Sequence, residues 1–475
     1  MPQNGFLGAD HSPTTPLLPK GDLPAVAVPR IARESISQPG TPTERDRVLN
    51  EHRQLHPQSS FQYSISRRLS ILETDDDLEA AREQRILDHD LSGKLTDEEL
   101  FGLGSSQAWK GKGTGWKNAQ HVAAETFAVL RMAGDLWSYL GLGWRWFYKL
   151  IQLVIYAGLL MPGFIQMVVF YFGSARVIRS IPYGKQPRNR LDMYVPKHHW
   201  RQDNGLRPVV IYVTGGAWTI GYKAWGALLG RRLSKQGVIV CCLDYRNFPQ
   251  GTVMDMLQDI NTGVSWVLQK IVHYGGNPDA VYLVGQSCGA QLTTLSILTQ
   301  AEQEARHAKL PGGDPRWSPK GIKGLVGVSG VYNCHDLADH LHGRGLYRSL
   351  FNRIMSKDGR PELKLLSPTY CVMGSTYGEQ LPPMLLLHGN QDVCAPVSNA
   401  TQFAEALEGA GAEVKLKLYD GQTHTSPLIE NPMRGGQDQL MDDILSFVQN
   451  RPVSTRQIPL CPGFLISAAA MICPF

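Results

Sequence analysis

The chain has 475 residues, 43% of them hydrophobic, and a formal net charge of +5. This length accommodates one large α/β domain with appendages, or two to three smaller domains, and the composition is sufficient for a full apolar core. The net charge is too small for nucleic acid to be an expected partner, and the eight scattered cysteines form neither zinc-type Cys-x-x-Cys pairs nor a disulfide framework.

The N-terminal region, residues 1–105, is rich in proline, serine, threonine, glutamine and charged side chains and contains few aromatics. Such a segment cannot bury enough apolar surface to offset the entropy lost on ordering. We therefore predict a largely disordered region with a regulatory role.

Within this region, the string DHDLSGKLTDEE at residues 88–99 fits the calcium-binding loop of an EF-hand. The residues at the ligand positions are Asp88, Asp90, Ser92, Lys94 (through its carbonyl) and Glu99. Glycines follow the loop at once and no second loop of this type occurs in the sequence, so we predict at most a weak calcium site. The alternative is an acidic loop that caps a helix.

Residues 106–180 are predicted to be helical, and from His121 the sequence becomes apolar and aromatic. No charged side chain occurs between Leu150 and Gly173, and basic and aromatic residues flank this run. At about 1.5 Å per residue such a helix reaches roughly 36 Å, enough to cross a hydrocarbon core of about 30 Å. We predict that this segment anchors the chain to membrane lipid.

The sequence is compatible with more than one arrangement of the apolar run. Pro162-Gly163 divides the run, so that a kinked span and a re-entrant hairpin are both compatible with the sequence. The run could instead form a buried pair of helices that caps a pocket in the domain that follows.

Residues 181–452 alternate between apolar, strand-like runs and helix-like stretches. The six predicted strands lie in RPVVIYV, GVIVCCLDYR, DAVYLVGQS, KGLVGVSGVY, PPMLLLHGNQD and EVKLKLYDG. Strands separated by helices favour a mostly parallel central sheet with helices on both faces. The remaining residues, 453–475, are predicted to be a C-terminal tail.

A nucleophile is predicted at Ser287, which lies in the Gly-x-Ser-x-Gly string GQSCG between a strand-like and a helix-like stretch. In α/β-hydrolases an oxyanion turn, the serine, an acid and a histidine follow successive strands in that order. Asp392 and His424 complete this order, because His424 follows the last predicted strand. His388 lies at the end of the fifth strand and is expected to be structural.

The predicted oxyanion donors are backbone N–H groups, which small residues allow to approach a substrate oxygen. Gly216 and Ala217 follow the first strong strand in the turn VTGGAW, and Cys288 follows the predicted nucleophile. The Cys288 side chain is expected to be inert. This chemistry requires no cofactor, and none is expected.

Several longer strings resemble plant-type isoprenylcysteine α-carbonyl methylesterases, from about Gln120 to the C-terminal CPF. These strings are VTGGAWTIGYKAWGALLGRRL, CCLDYRNFPQGT, GQSCGAQ, HLHGRGLYRSLF and GQTHTSP. The resemblance implies an α/β-hydrolase fold with Ser287, Asp392 and His424 as catalytic triad. It also implies that Gly215, Gly216 and Ala217 form the oxyanion turn. This chain departs from the family pattern at Cys288, where alanine is expected, and in its acidic loop.

The resemblance further implies a serine carboxylesterase of endoplasmic reticulum and Golgi membranes. Its substrate would be the methyl ester of a C-terminal prenylated cysteine, free or protein-bound, and we expect the catalytic domain to face the cytosol. Two other functions remain compatible with the motifs: a general carboxylesterase for apolar esters, and a non-catalytic ligand receptor with a hydrolase fold. The presence of His424 favours an enzyme. The sequence gives no oligomeric state.

Overall fold

The computed structural model describes residues 144–197, 205–307, 317–344, 348–357 and 359–473. The N-terminal region predicted to be disordered and the predicted calcium loop lie outside these residues.

Helices and strands alternate along the described chain. The helices are α1 (Trp144–Leu159), α2 (Met161–Gly173), α3 (Ala227–Lys235), α4 (Val253–Lys270), α5 (Cys288–His307), α6 (Cys334–Gly343), α7 (Arg348–Ile354), α8 (Pro368–Val372), α9 (Val397–Gly409), α10 (Glu430–Arg434), α11 (Gln439–Gln449) and α12 (Gly463–Ile472). The strands are β1 (Val177–Pro182), β2 (Arg190–Tyr194), β3 (Arg207–Val213), β4 (Ile239–Leu243), β5 (Gly276–Gln286), β6 (Ile322–Val328), β7 (Ser356–Lys357), β8 (Arg360–Pro361), β9 (Met384–Gly389), β10 (Val414–Tyr419), β11 (Gly436–Gln437) and β12 (Arg456–Gln457).

Within the described residues the main sheet has eight strands in the order β1-β2-β4-β3-β5-β6-β9-β10. From β4 to β10 neighbouring strands are parallel, whereas β2 runs antiparallel to both β1 and β4. The six predicted strands correspond to β3, β4, β5, β6, β9 and β10. The carboxyl ends of these parallel strands meet at one edge of the sheet, so the loops that follow them can assemble a site there.

Apolar residues fill both faces of the sheet. Along β3, Val209, Ile211 and Val213 face the core that includes α4, α5 and α9, while Val210 and Tyr212 face the core that includes α3 and α11. This alternation follows from the two-residue period of a strand. A mostly parallel sheet covered by helices on both faces confirms the predicted fold class.

The predicted membrane segment forms two helices rather than one. The chain breaks at Leu160, α1 and α2 are bent by 68°, and Pro162 lies in the first turn of α2, where its missing N–H removes no helical hydrogen bond. Among the described residues no single helix is long and apolar enough to cross a bilayer, although Tyr148–Leu159 and Met161–Gly173 together reach that length and composition.

One side of this helix pair packs on the domain built around the sheet. Tyr156, Leu160, Met167 and Tyr171 are buried in the core cluster that also contains α3 and α11. The Tyr171 hydroxyl donates a hydrogen bond of 2.6 Å to Asp192 Oδ2 in β2, which fixes α2 to the sheet. The other side is exposed to solvent: its large apolar side chains are Tyr148, Ile151, Val154, Ile155, Met161, Ile165, Val168 and Val169.

The structured domain extends beyond both of its predicted limits. The limit between residues 180 and 181 lies inside β1, so the sheet begins earlier than the sequence indicated. The predicted C-terminal tail contains α12, which packs against α1 and buries Ile466 and Ala469.

Candidate active site

Ser287 lies at a sharp turn between β5 and α5, with a φ of 55°. This left-handed conformation is uncommon for a residue with a side chain, and it is maintained only where the surroundings enforce it. A Cβ on Gly289 would lie 2.3 Å from the Val213 carbonyl oxygen, and one on Gly285 would lie 2.5 Å from the Gly289 carbonyl oxygen. The two glycines of the motif are therefore required because β3, β5 and α5 approach one another closely.

The three predicted triad residues are in hydrogen-bonding contact, although they lie far apart in the sequence. His424 Nε2 lies 2.9 Å from Ser287 Oγ, and His424 Nδ1 lies 2.7 Å from Asp392 Oδ2. Asp392 follows β9, and His424 lies in the loop between β10 and α10. The arrangement places a base within reach of the hydroxyl and an acid that orients the base, as nucleophilic catalysis by serine requires.

The Asp392 carboxylate is buried, and it accepts several hydrogen bonds from protein groups. Its Oδ1 accepts hydrogen bonds from the N–H groups of Cys394 and Ala395, at 2.9 and 2.8 Å. Burial raises the pKa of Asp392, but hydrogen bonds from His388 and His424 outweigh this effect and hold the pKa below its usual range. The carboxylate is therefore ionised at neutral pH and favours a proton on His424 Nδ1, which leaves Nε2 free to accept one.

The same pKa shift links Asp392 to stability. A carboxyl group whose pKa is lower in the folded than in the unfolded state stabilises the fold at neutral pH. This contribution is lost only as the pH falls below about 4, the unfolded value, toward the folded pKa.

A second histidine, His388, also contacts the Asp392 carboxylate, and this contact was not predicted from the sequence. It is buried at the end of β9, and its Nε2 lies 2.8 Å from the Ala395 carbonyl oxygen and 3.3 Å from Asp392 Oδ2. These contacts connect His388 to Asp392 and the residues that follow it, rather than to Ser287. His388 therefore supports Asp392, while His424 is positioned to exchange a proton with the hydroxyl.

The predicted oxyanion turn follows β3 and lies against the nucleophile. A Cβ on Gly215 would lie 2.9 Å from Ser287 Cβ, and a Cβ on Gly216 would lie 2.5 Å from the backbone nitrogen of Gly221. Gly216 has a φ of 132°, which a residue with a side chain would rarely adopt. The turn thus needs glycine at both positions.

Gly215, which the resemblance places in the oxyanion turn, is not a free donor. Its N–H donates to Gln286 Oε1 at 3.2 Å, so Gly215 allows close packing and its amide is already engaged. Within the described residues, the Gly216 N–H has no such acceptor. Cys288 begins α5, and the N–H groups in the first turn of a helix have no acceptor within that helix.

The Cys288 thiol lies beneath the turn. It accepts a hydrogen bond of 3.4 Å from the Trp218 N–H, and the Ala217 N–H also interacts with it. Burial raises the pKa of this thiol, and the Trp218 N–H, the Tyr245 hydroxyl and the N–H groups of Ala217 and Cys288 partly oppose the effect. The thiol is thus a protonated, buried group that packs under the oxyanion turn.

Comparisons with known proteins place the chain among esterases. Residues 191–407 match the family model BD-FAE. A protein of Oryza sativa subsp. japonica named "Probable isoprenylcysteine alpha-carbonyl methylesterase ICME" is 46% identical over 370 residues, which cover 77% of this chain and 86% of the relative. The "Isoprenylcysteine alpha-carbonyl methylesterase ICME" of Arabidopsis thaliana is 44% identical over 366 residues, with 75% and 83% covered.

Among solved structures, an inhibited esterase B from Lactobacillus rhamnosis matches with a TM-score of 0.45 and 19% identity, and the match covers 58% of this chain and 89% of that one.

The geometry predicts different effects for the two histidines. We expect His424→Ala to lower kcat by roughly 10⁴- to 10⁶-fold, with a smaller loss of melting temperature than His388→Ala, because the side chain of His424 is 12% exposed and that of His388 only 1%. His388→Ala should keep far more activity but melt at a lower temperature, since it empties a buried site beside Asp392. Both effects can be measured with an aryl ester and by thermal unfolding. An active His424→Ala together with an inactive, folded His388→Ala would contradict this assignment.

Proposed function

The chain belongs to the isoprenylcysteine alpha-carbonyl methylesterase family, and from that premise we propose that it hydrolyses the methyl ester of a C-terminal prenylated cysteine. The products are prenylcysteine, free or at the end of a protein, and methanol. The observation that carries the proposal is the hydrogen-bonded chain from Asp392 through His424 to Ser287, with distances of 2.7 and 2.9 Å. A non-catalytic receptor would have no need of a base in this position.

Acylation uses the proton path that these contacts define. His424 Nε2 takes the proton of Ser287 Oγ as this oxygen attacks the ester carbonyl carbon, and the imidazolium is stabilised by the Asp392 carboxylate. The tetrahedral intermediate collapses when His424 returns the proton to the methoxy oxygen. Methanol leaves, and the prenylcysteinyl group remains as an ester on Ser287.

Deacylation repeats the same steps with water. His424 takes a proton from the water molecule as its oxygen attacks the acyl carbon, and the second intermediate collapses with return of that proton to Ser287 Oγ. The carboxylic acid that is released ionises at neutral pH. No group beyond the side chains and backbone of the site is required.

Backbone amides are the proposed donors to the negatively charged oxygen of both intermediates. The N–H group of Gly216 is available, and the N–H groups of Ala217 and Cys288 are two further donors, both shared with the Cys288 thiol. Donors fixed in this way before the reaction stabilise the charge without reorganisation, and removing one such donor typically costs about 10²- to 10³-fold in kcat.

We propose that the enzyme works at a membrane surface, in contact with the lipid in which a prenyl chain resides. In support, α1 and α2 expose a row of large apolar side chains, and α12, which packs against α1, exposes two more: Phe464 is 74% and Met471 82% exposed. Contiguous apolar surfaces of this kind mark sites of protein or membrane interaction. Location on the endoplasmic reticulum and Golgi membranes, with the catalytic domain in the cytosol, is a further proposal that rests on the resemblance of the sequence to its family.

The prenyl chain should determine specificity. Burial of five CH₂-sized groups at about 0.8 kcal/mol each supplies roughly 4 kcal/mol, close to a thousandfold in kcat/KM if it is realised in the transition state. We expect S-farnesyl- or S-geranylgeranyl-cysteine methyl ester to exceed cysteine methyl ester by at least about 100-fold in kcat/KM, measured by methanol release. Ser287→Ala serves as the inactive control. Equal values for prenylated and unprenylated esters would leave only a general carboxylesterase.

Membrane contact should depend on the exposed apolar side chains. The double substitution Val169→Glu and Phe464→Glu places charges on α2 and α12, which should abolish co-flotation with liposomes because a charge is costly to bury in lipid. Val272→Glu is the matched control, since Val272 is also exposed but precedes β5, at the end of the sheet away from Ser287. Unchanged flotation of the double variant would instead favour the alternative in which these helices only cover the hydrolase domain.

A further inference from the structure

A buried carboxylate, Glu430, lies beside the catalytic loop and takes no part in the proton path. It begins α10 and is only 2% exposed. Its Oε1 accepts hydrogen bonds from the Tyr156 hydroxyl at 2.8 Å and from the Thr425 hydroxyl at 3.0 Å. Its Oε2 is buried without a partner among the described residues. Burial of a carboxylate oxygen without a hydrogen-bond partner is unfavourable, so the position of Glu430 calls for an explanation.

Thr425, one of the two donors, directly follows His424. Its carbonyl oxygen also accepts hydrogen bonds from the N–H groups of Leu428 and Ile429, at 3.1 and 3.0 Å. Both the backbone and the side chain of Thr425 are thus held. Because the imidazole of His424 must reach two partners at once, a shift of this residue would lengthen one or both of its hydrogen bonds.

Tyr156, the other donor, belongs to α1 and is separated from Glu430 by 274 residues. The C-terminal helix reaches the same place, because Cys473, which follows α12, has its Sγ 3.4 Å from Thr425 Oγ1. Two of the three helices with exposed apolar side chains, α1 and α12, are therefore in contact with the groups that hold the His424 loop: α1 through Tyr156, and α12 through the residue Cys473 that follows it.

We propose that Glu430 is a positioning residue that holds the His424 loop, and that Tyr156 of α1 completes this support. In this arrangement the apolar helices are a structural part of the catalytic site as well as its contact with lipid. The inference rests on the proposed function, since it concerns the alignment of the base in ester hydrolysis. Its consequence is that loss of the Tyr156 hydrogen bond slows the reaction even for a small ester that needs neither membrane nor prenyl pocket.

Tyr156→Phe removes the hydroxyl and keeps the ring, and Tyr171→Phe provides a matched control. Both tyrosines are buried and both donate to a buried carboxylate, at 2.8 Å for Tyr156 and 2.6 Å for the Tyr171–Asp192 pair. Only Tyr156 is connected to the His424 loop. A second pair tests the other donor: Thr425→Val removes the hydroxyl at nearly equal volume, whereas Thr425→Ser retains it.

The full-length proteins, purified in detergent, are compared by three measurements. These are kcat and KM for p-nitrophenyl acetate, the rate at which a fluorophosphonate labels Ser287, and the melting temperature. Misplacement of a catalytic group by about 1 Å can cost 10²-fold, so we expect kcat to fall roughly 10- to 100-fold in Tyr156→Phe and in Thr425→Val. KM should stay unchanged and the labelling rate should fall in parallel with kcat. Thr425→Ser should recover the wild-type kcat.

Tyr171→Phe should lose a similar amount of thermal stability while keeping the wild-type kcat and labelling rate. A kcat in Tyr156→Phe equal to that of Tyr171→Phe, or a Thr425→Ser variant no better than Thr425→Val, would overturn the positioning role. These outcomes are distinguishable from failure of the proposed function. If only the prenylcysteine specificity failed, the wild-type protein would still hydrolyse p-nitrophenyl acetate and the positioning role would still be tested by the variants. If the wild-type protein hydrolysed no ester, this inference would fall with the proposed function.

Discussion

The close approach of β3, β5 and α5 at the carboxyl edge of the sheet is the constraint on which the site depends. It forces the backbone through a left-handed turn at Ser287 and leaves no room for a Cβ at Gly285 or Gly289. The turn lifts the serine hydroxyl out of the sheet, toward the loops that follow β9 and β10. The same packing brings the Gly216 amide and the start of α5 together around the site where an oxyanion would form.

At this edge of the sheet, each catalytic side chain is held in place by hydrogen bonds from residues that do not react. Asp392 is held by two backbone amides and by His388, so its carboxylate is fixed before it orients His424. His424 in turn depends on the loop that Thr425 and Glu430 stabilise. A preorganised environment of this kind lowers the reorganisation needed during reaction, which is a large contribution to catalysis by enzymes of this type.

The features that the sequence predicted are those that local patterns encode. The six parallel strands are apolar runs bounded by turns, and Ser287, Asp392 and His424 each follow a strand, so the sheet edge brings them together. The antiparallel strands β1 and β2 were not predicted, because charged or polar residues interrupt both short segments: Arg179 and Ser180 in VIRSIP, and Arg190 and Asp192 in RLDMY. The Gln286 contact that engages the Gly215 amide, the support of Asp392 by His388, and the Tyr156–Glu430 hydrogen bond depend on side-chain positions in the folded chain. Such contacts leave no periodic signal in the sequence.

The central claim is that the substrate passes through an ester on Ser287, and rapid acid quench tests it most directly. Wild-type protein mixed with excess S-farnesylcysteine methyl ester is quenched during turnover, digested, and examined by mass spectrometry. The account predicts that the peptide containing Ser287 gains the mass of a farnesylcysteinyl group, and that the modification is absent from Ser287→Ala. Methanol release by a Ser287→Ala variant at the wild-type rate, with no acylated peptide in the wild-type protein, would contradict it.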